Sequence, residues 1–149
     1  MKIRPIYQSD EQFFSSYARA EDAAECMSVS KKPLQEHIKI GKEQSIECFC
    51  FADKLDRPIA MYGLIQNEGR NFVWLLTTAF IEEHKLSFMK EVKRTVQKWY
   101  SKYGDLWLCT DMRYSKAIKL NLWAGFKRVG DVIKINGFDF GIYRFSGEK

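Results

Sequence analysis

The sequence predicts a single α+β domain, residues 1–149, in which a mixed, mostly antiparallel sheet is flanked by helices. The order of patterns is strand, helices, three strands, a long helix, strand, helix and two strands. A long helix between two strands indicates one parallel crossover beside antiparallel neighbours. The 149 residues, 46% of them apolar, are enough for one well-filled core.

The first elements are read from caps and composition. "MKIRPIYQSD" offers a short strand followed by Ser9 and Asp10, which are typical helix caps. "EQFFSSYARAEDAAECM" is helical by composition and is interpreted as two short helices. Pro33 then opens a further helix, "PLQEHIKIGK", because proline is tolerated in the first helical turn.

The segment "SIECFCFADKLDRPIAMYGLIQNEGRNFVWLLTTAFI" reads as three strands separated by two turns. Asp56 and Arg57 mark the first turn, and Asn67 to Gly69 mark a hairpin loop. Apolar and β-branched residues between these turn residues favour strands over helices.

The clearest helix is "EEHKLSFMKEVKRTVQKWYSKYG", whose apolar residues recur at helical spacing on one face. Gly104 is its predicted stop. The strand "DLWLCTD", a helix ending at Gly125, and two strands around the turn Asn136-Gly137 complete the chain.

The four cysteines are interpreted as buried, reduced thiols rather than as a disulfide or zinc scaffold. Cys48 and Cys50 lie two apart in a strand pattern, which places them on one face at a spacing of about 6–7 Å. Neither histidine has cysteines at zinc-ligand spacing, so we expect no metal site. The start of the chain carries no signal-like segment, and no apolar run approaches the ~20 residues of a membrane span. These features predict a soluble protein without membrane contact.

The helix "YSKAIKLNLWAGF" resembles the tail motif of the GNAT acyltransferase superfamily. Ala117, Leu120, Gly125 and Phe126 fall in register with that motif, and the element order of nearly the whole chain is similar. The resemblance implies a GNAT-like fold in which Gly125 ends a helix and Phe126 fills the core.

Two departures from the GNAT pattern concern its chemistry. Asn121 stands where the family has a tyrosine that protonates the coenzyme A thiolate, and an amide cannot do this. The loop Ala79 to Phe88 lacks the glycines that grip the pyrophosphate, and it carries Glu82 and Glu83, which cap a helix and repel an anion. The sequence therefore predicts no cofactor, and weak or absent binding of acetyl-coenzyme A.

A narrower resemblance is to small GNAT-like proteins of short-tailed phages. "VKRTVQKWYSKYGDLWL" followed by "LWAGF" is similar to their head-assembly or internal virion proteins. It implies a non-catalytic virion or head-assembly factor, with phage structural proteins as partners, located in the host cytoplasm or the virion.

The alternative function is an acyl-coenzyme A dependent N-acyltransferase with an unusual cofactor loop. Its cofactor-binding residues would be Leu75, Leu76, Thr77, Lys85 and Asn121. Backbone N–H groups near Leu75 to Thr77 would hold the oxyanion, and Glu82 or His84 would be the base.

A second alternative is a DNA-binding accessory protein, since the net charge is +5. The candidates form two groups. The first is called the α3 stripe, after the long helix predicted in "EEHKLSFMKEVKRTVQKWYSKYG", here named α3, and the second is called the tail cluster. The α3 stripe is Lys90, Arg94, Lys98 and Lys102, and the tail cluster is Arg113, Lys116, Lys119, Lys127 and Arg128. Such residues neutralise phosphates of DNA, but a stripe of this kind is more often the solvated face of a helix, which is the interpretation favoured here.

Overall fold

One sheet of seven strands runs through the part of the chain that the computed structural model describes, residues 2–18 and 32–146. The strand order is β1-β2-β3-β4-β5-β7-β6, and all neighbours are antiparallel except β4 and β5. The strands are β1 (Lys2–Arg4), β2 (Glu47–Ala52), β3 (Pro58–Asn67), β4 (Arg70–Thr77), β5 (Leu106–Asp111), β6 (Lys127–Ile135) and β7 (Phe138–Phe145). The predicted fold class and the single parallel crossover are confirmed.

The helices lie where the sequence places them. They are α1 (Gln8–Tyr17), α2 (Leu34–Gln44), α3 (Lys85–Tyr103) and α4 (Ser115–Trp123), and a short 3-10 helix spans Ala79–His84. Pro33 stands immediately before α2. A second short helix predicted from "EQFFSSYARAEDAAECM" would fall in residues 19–31, outside the described residues.

Helices cover both faces of the sheet and bury two clusters of apolar side chains. On one face α3 contacts β2 and β3 through the ring pairs Phe51–Phe88 and Tyr62–Trp99, whose centroids are 5.7 and 6.1 Å apart. On the other face Phe14 of α1 and other apolar side chains pack against the strands. Each large apolar side chain buried in this way contributes roughly 1.5–3 kcal/mol, which holds the helices to the sheet.

Glu47 of β2 fastens the end of α3. Its carboxylate accepts hydrogen bonds from Trp99 Nε1 at 3.1 Å, from the Tyr103 hydroxyl and from Lys102 Nζ at 3.1 Å. Burial alone would raise the pKa of Glu47, but these hydrogen bonds outweigh it and hold the pKa below its usual value. Gly104, the residue after Tyr103, ends α3 as predicted, and its N–H donates to the carbonyl of Tyr100.

The start of α3 differs from the prediction. Glu82 and Glu83 lie in the 3-10 helix, and the first turn of α3 contains no acidic residue and begins with Lys85. The two carboxylates therefore do not cap the α-helix. The predicted repulsion of an anion by carboxylates in the first turn of α3 is therefore wrong in part.

The tail of the chain has the predicted packing. Gly125 follows α4 with φ +103°, and a Cβ at this position would lie 2.8 Å from Cε2 of Phe145. Phe126 is 3% exposed, and its ring centroid lies 5.6 Å from that of Phe145. The turn between β6 and β7 is formed by Asn136 and Gly137, both with positive φ, as expected for this dipeptide.

The cysteines agree with the sequence interpretation only in part. Cys48 and Cys50 lie on one face of the sheet, and burial raises the pKa of the Cys50 thiol to about 12. Cys48 is half-buried, however, and Cys109 is exposed, so the expectation of uniformly buried cysteines is wrong. Cys26 lies outside the described residues.

Within residues 2–18 and 32–146, no helix combines the length and the apolar character that a membrane crossing requires. In the same residues, no group of three or more His, Cys, Asp and Glu side chains is placed to hold a metal ion.

Candidate functional site

The sheet opens between β4 and β5. These parallel strands pair at two positions, Asn71 with Leu106 and Phe72 with Trp107, and then separate toward their carboxyl ends. Asn71 closes the narrow end, because its Nδ2 donates to the carbonyls of Tyr103 and Asp105 at 3.0 and 3.1 Å. The result is a wedge-shaped gap in the middle of the sheet.

The edge of β4 that faces this gap carries backbone hydrogen-bonding groups. Thr78 N–H donates to Ile59 of the β3 side at 2.9 Å. Because successive residues of a strand direct these groups to opposite sides, the N–H and C=O groups of Leu75 point toward β5. The pairing with β5 has ended by that point, so they point into the gap.

A cavity of about 710 Å³ occupies the gap and reaches both faces of the sheet. It is bounded by α2 on one face, by α3 and α4 on the other, and by β4 and β5 between them. Backbone at the ends of two separating strands and a largely apolar lining are typical of a binding site for a small molecule.

The α2 end of the cavity is aromatic and apolar. Trp74 lies flat against β3 and α2, since a Cβ at Gly63 would come within 2.4 Å of its ring and one at Gly41 within 3.2 Å. Its Nε1 donates to the Ser45 hydroxyl at 2.8 Å, which fixes the ring. His37 of α2 lines the same end of the cavity. Nothing in the sequence pattern marked Trp74 or His37, because both enter the site through contacts between distant segments.

The opposite end is basic. Lys85 at the start of α3 and Lys116 and Lys119 on α4, here called the rim lysines, line the cavity together with Glu82. None of the rim lysines forms an ion pair within the described parts of the chain. Three cations against one carboxylate make this end of the cavity suited to an anionic group.

A cation–π contact links α3 and α4 beside the rim lysines. Lys93 Nζ lies 4.3 Å from the centroid of the Trp123 ring, and Trp123 lines the cavity. Lys93 therefore holds this half-exposed ring at the boundary of the cavity.

A buried polar pair lies on the α4 side of the cavity. Asn121 Nδ2 donates to Thr110 Oγ1 at 2.7 Å, and the two residues are 9% and 5% exposed. Both side chains line the cavity. Asn121 is therefore held by the protein inside the site.

The structure brings all five predicted cofactor-binding residues to this cavity: Leu75, Leu76, Thr77, Lys85 and Asn121. Of the two predicted bases, Glu82 lines the cavity and His84 does not. Cys109 of β5 also lines it, although its sequence suggested only a buried thiol.

The basic candidates separate into different places. Lys116 and Lys119 belong to the cavity, whereas the α3 stripe and the rest of the tail cluster do not line it. Arg94 pairs with Glu91 at 2.6 Å and Lys102 with Glu47 at 3.1 Å, so half of the α3 stripe is neutralised. Arg113 of the tail cluster similarly pairs with Asp111. Lys127 and Arg128 lie on β6, opposite Arg144 and Tyr143 of β7. Contact of these residues with DNA remains a prediction.

No protein-family model matches the chain, and no curated protein matches it. Its structure is nevertheless similar to solved acetyltransferases. A GNAT-family acetyltransferase from Bacillus anthracis has a TM-score of 0.73 at 10% identity, over 99% of this chain and 95% of that chain. Spermidine N-acetyltransferase from Vibrio cholerae, in complex with CoA and spermine, has a TM-score of 0.69 at 14% identity, over 97% and 94%. The protein smu.2055 from Streptococcus mutans UA159 has a TM-score of 0.71 at 15% identity, over 99% and 100%.

These likenesses establish that the chain has the GNAT fold. They overturn the prediction of a non-catalytic phage factor, because the similar structures include acetyltransferases and the narrower resemblance to phage proteins finds no support. The expectation that no cofactor binds is likewise unsupported, since one similar structure is a complex with CoA.

Proposed function

We propose that the chain is an N-acetyltransferase that uses acetyl-coenzyme A. The observation that carries this proposal is the gap between β4 and β5, which opens into a cavity reaching both faces of the sheet. Such a passage lets a thioester enter from one face and an amine from the other. The GNAT fold and the acetyltransferase neighbours support the same reaction class.

The residues that line the cavity fit coenzyme A at both of its ends. The N–H and C=O groups of Leu75 would pair with the amides of the pantetheine arm, as an added strand pairs with a sheet edge. The rim lysines would hold the phosphates by charge in place of a glycine-rich backbone loop. Glu82 opposes this, but it is one carboxylate against three cations.

Bound acetyl-coenzyme A would supply an activated acetyl group as a thioester. The chain's own residues would position the reaction. The Leu75 N–H would donate to the oxygen on which negative charge develops during acyl transfer. The amine would enter at the α2 end, where Trp74 would pack against its apolar part and His37 would accept its proton.

The test is calorimetric titration with coenzyme A, followed by an acetylation assay on a panel of primary amines monitored by mass spectrometry. We expect a dissociation constant below about 100 µM and acetylation of at least one amine. A protein that shows no heat of binding with millimolar coenzyme A would refute the proposal.

A matched pair of variants tests the rim lysines. Lys116→Gln with Lys119→Gln removes two positive charges from the cavity, and Lys90→Gln with Lys98→Gln removes two from the α3 stripe. The first pair should weaken coenzyme A binding by about ten-fold or more, because charge-assisted hydrogen bonds to phosphate are lost. The second pair should leave the affinity nearly unchanged. If both double variants weaken coenzyme A binding equally, the affinity depends on the net charge of the protein and not on the position of the rim lysines.

A further inference from the structure

The hydrogen bonds of the Thr110–Asn121 pair are incomplete. Thr110 Oγ1 accepts from Asn121 Nδ2 at 2.7 Å, and both side chains are more than nine-tenths buried. Within residues 2–18 and 32–146, the Thr110 hydroxyl donates no hydrogen bond and Asn121 Oδ1 accepts none. Buried polar groups are nearly always paired, so an unused hydroxyl donor beside a cavity points to a partner in the cavity.

Asn121 also fixes the direction of that donor. Its N–H occupies one lone pair of Thr110 Oγ1, so the hydroxyl proton is directed away from Asn121. Both residues line the cavity next to the apolar positions of α4. The partner should therefore be an acceptor, and a negatively charged acceptor would be bound most strongly.

We propose that Thr110 is a catalytic residue that donates its hydroxyl hydrogen bond to the departing sulfur of coenzyme A, and that Asn121 is a positioning residue for this hydroxyl. This inference rests on the proposed function. The amine nitrogen forms the new bond to the carbonyl carbon, the carbon–sulfur bond breaks, and its electron pair stays on sulfur. Thr110 keeps its proton throughout. The proton lost by the amine goes to His37 or to solvent.

A hydrogen bond is sufficient for this step because a thiolate is a stable leaving group. A cysteine thiol has a pKa of about 8.5, which shows that a thiolate is a far weaker base than an alkoxide, so the sulfur does not need to be protonated as it departs. A hydrogen bond to a charged group changes an equilibrium by about ten-fold or more. Thr110 would therefore lower the pKa of the bound thiol.

Other titratable groups line the cavity and would also influence a bound thiol. They come from α2, the 3-10 helix, α3, β5 and α4, and are His37, Glu82, Lys85, Cys109, Lys116 and Lys119. The test must separate Thr110 from these side chains, and a ligand without sulfur provides that separation.

The experiment compares the affinities of coenzyme A and desulfo-coenzyme A by calorimetry across pH, with a reductant present to keep Cys109 reduced. If the bound thiol has a pKa about one unit below that of the free thiol, the affinity for coenzyme A should rise relative to desulfo-coenzyme A. The rise should be about seven-fold from roughly two pH units below the pKa of the free thiol to roughly half a unit above it. The rise occurs because the protein then favours the thiolate. Effects of pH on the protein's own groups and on the phosphates are common to both ligands.

Three variants complete the test. Thr110→Val should abolish the relative rise while leaving desulfo-coenzyme A affinity unchanged, which also shows that the site is intact. Thr110→Ser keeps the hydroxyl and should retain the rise. Asn121→Leu should reduce it.

A Thr110→Val protein that retains the full rise would overturn the inference while leaving the proposed function standing. A full rise in Asn121→Leu would refute the positioning role. A wild-type protein that binds neither ligand would overturn both the inference and the proposed function.

Discussion

Replacing Gly125 with alanine tests the junction between α4 and β6. The backbone there has φ +103°, which costs a non-glycine residue about 1–3 kcal/mol. The added Cβ would also lie 2.8 Å from Phe145 Cε2, so that ring must shift, at a further cost of about 1–3 kcal/mol. We expect Gly125→Ala to lower the free energy of unfolding by about 2–6 kcal/mol, more than its backbone conformation alone would cost.

Gly104→Ala is the matched control. Gly104 has φ +90°, but no atom lies within 4 Å of a Cβ built there, so it carries the backbone cost without the contact. Urea unfolding of both variants, analysed with a common denaturant slope, gives the comparison. Changing Phe145 to leucine should then reduce the cost of Gly125→Ala, because the two sites are in contact. If Gly125→Ala costs no more than Gly104→Ala, the contact with Phe145 does not matter and this reasoning is wrong.

Three further predictions concern other parts of the chain. Phe126→Ala should lower the free energy of unfolding by roughly 3–5 kcal/mol in urea, and a loss below 1 kcal/mol would contradict its buried position. Glu47→Gln should destabilise at pH 7. Because the folded pKa of Glu47 is lowered, its stabilising effect is present above the unfolded pKa and disappears as pH falls through the folded pKa, so the variant and wild type should converge in acid. Fluorescence anisotropy should show no binding of duplex DNA at physiological salt, since Arg94 and Lys102 are already paired with carboxylates. Salt-dependent binding that is lost when the α3 stripe is changed to glutamine would instead favour a DNA contact.

The element order was accessible from the sequence because it depends on local signals. Helical spacing identified α3, glycine marked its end at Gly104, and Asn136-Gly137 marked the last hairpin. The predicted start of α3 differs from the observed start. Glu82 and Glu83 favour a helix start, but the chain forms a 3-10 helix first and begins α3 at Lys85. Composition alone does not distinguish these two kinds of turn.

The site was less accessible because it depends on contacts between distant segments. Five cofactor-binding candidates do lie around one cavity, since strand β4 and the tail motif have local sequence signals, and their contact with a cofactor stays a prediction. The separation of β4 from β5 was invisible, because residue patterns show that a strand exists and not where its pairing stops. Trp74 contacts Gly63 of β3 and Gly41 of α2, and no local pattern in the sequence indicates contacts between such distant segments. The prediction of a non-catalytic factor is wrong because it depends on the missing glycines of one loop, whereas the fold of the whole chain is shared with acetyltransferases.

The gap in the sheet coincides with a division of the chain itself. All strands on one side of it, β1 to β4, precede α3, and all strands on the other side, β5 to β7, follow it. Two paired positions of β4 and β5 join the two halves of the sheet. Within each half the neighbouring strands are antiparallel, and several are connected by short turns. Local pairings form faster than distant ones because less chain must be ordered to make them. We expect each half to assemble first and the β4–β5 pairing to form last, so that the gap proposed to bind coenzyme A lies where the fold is completed.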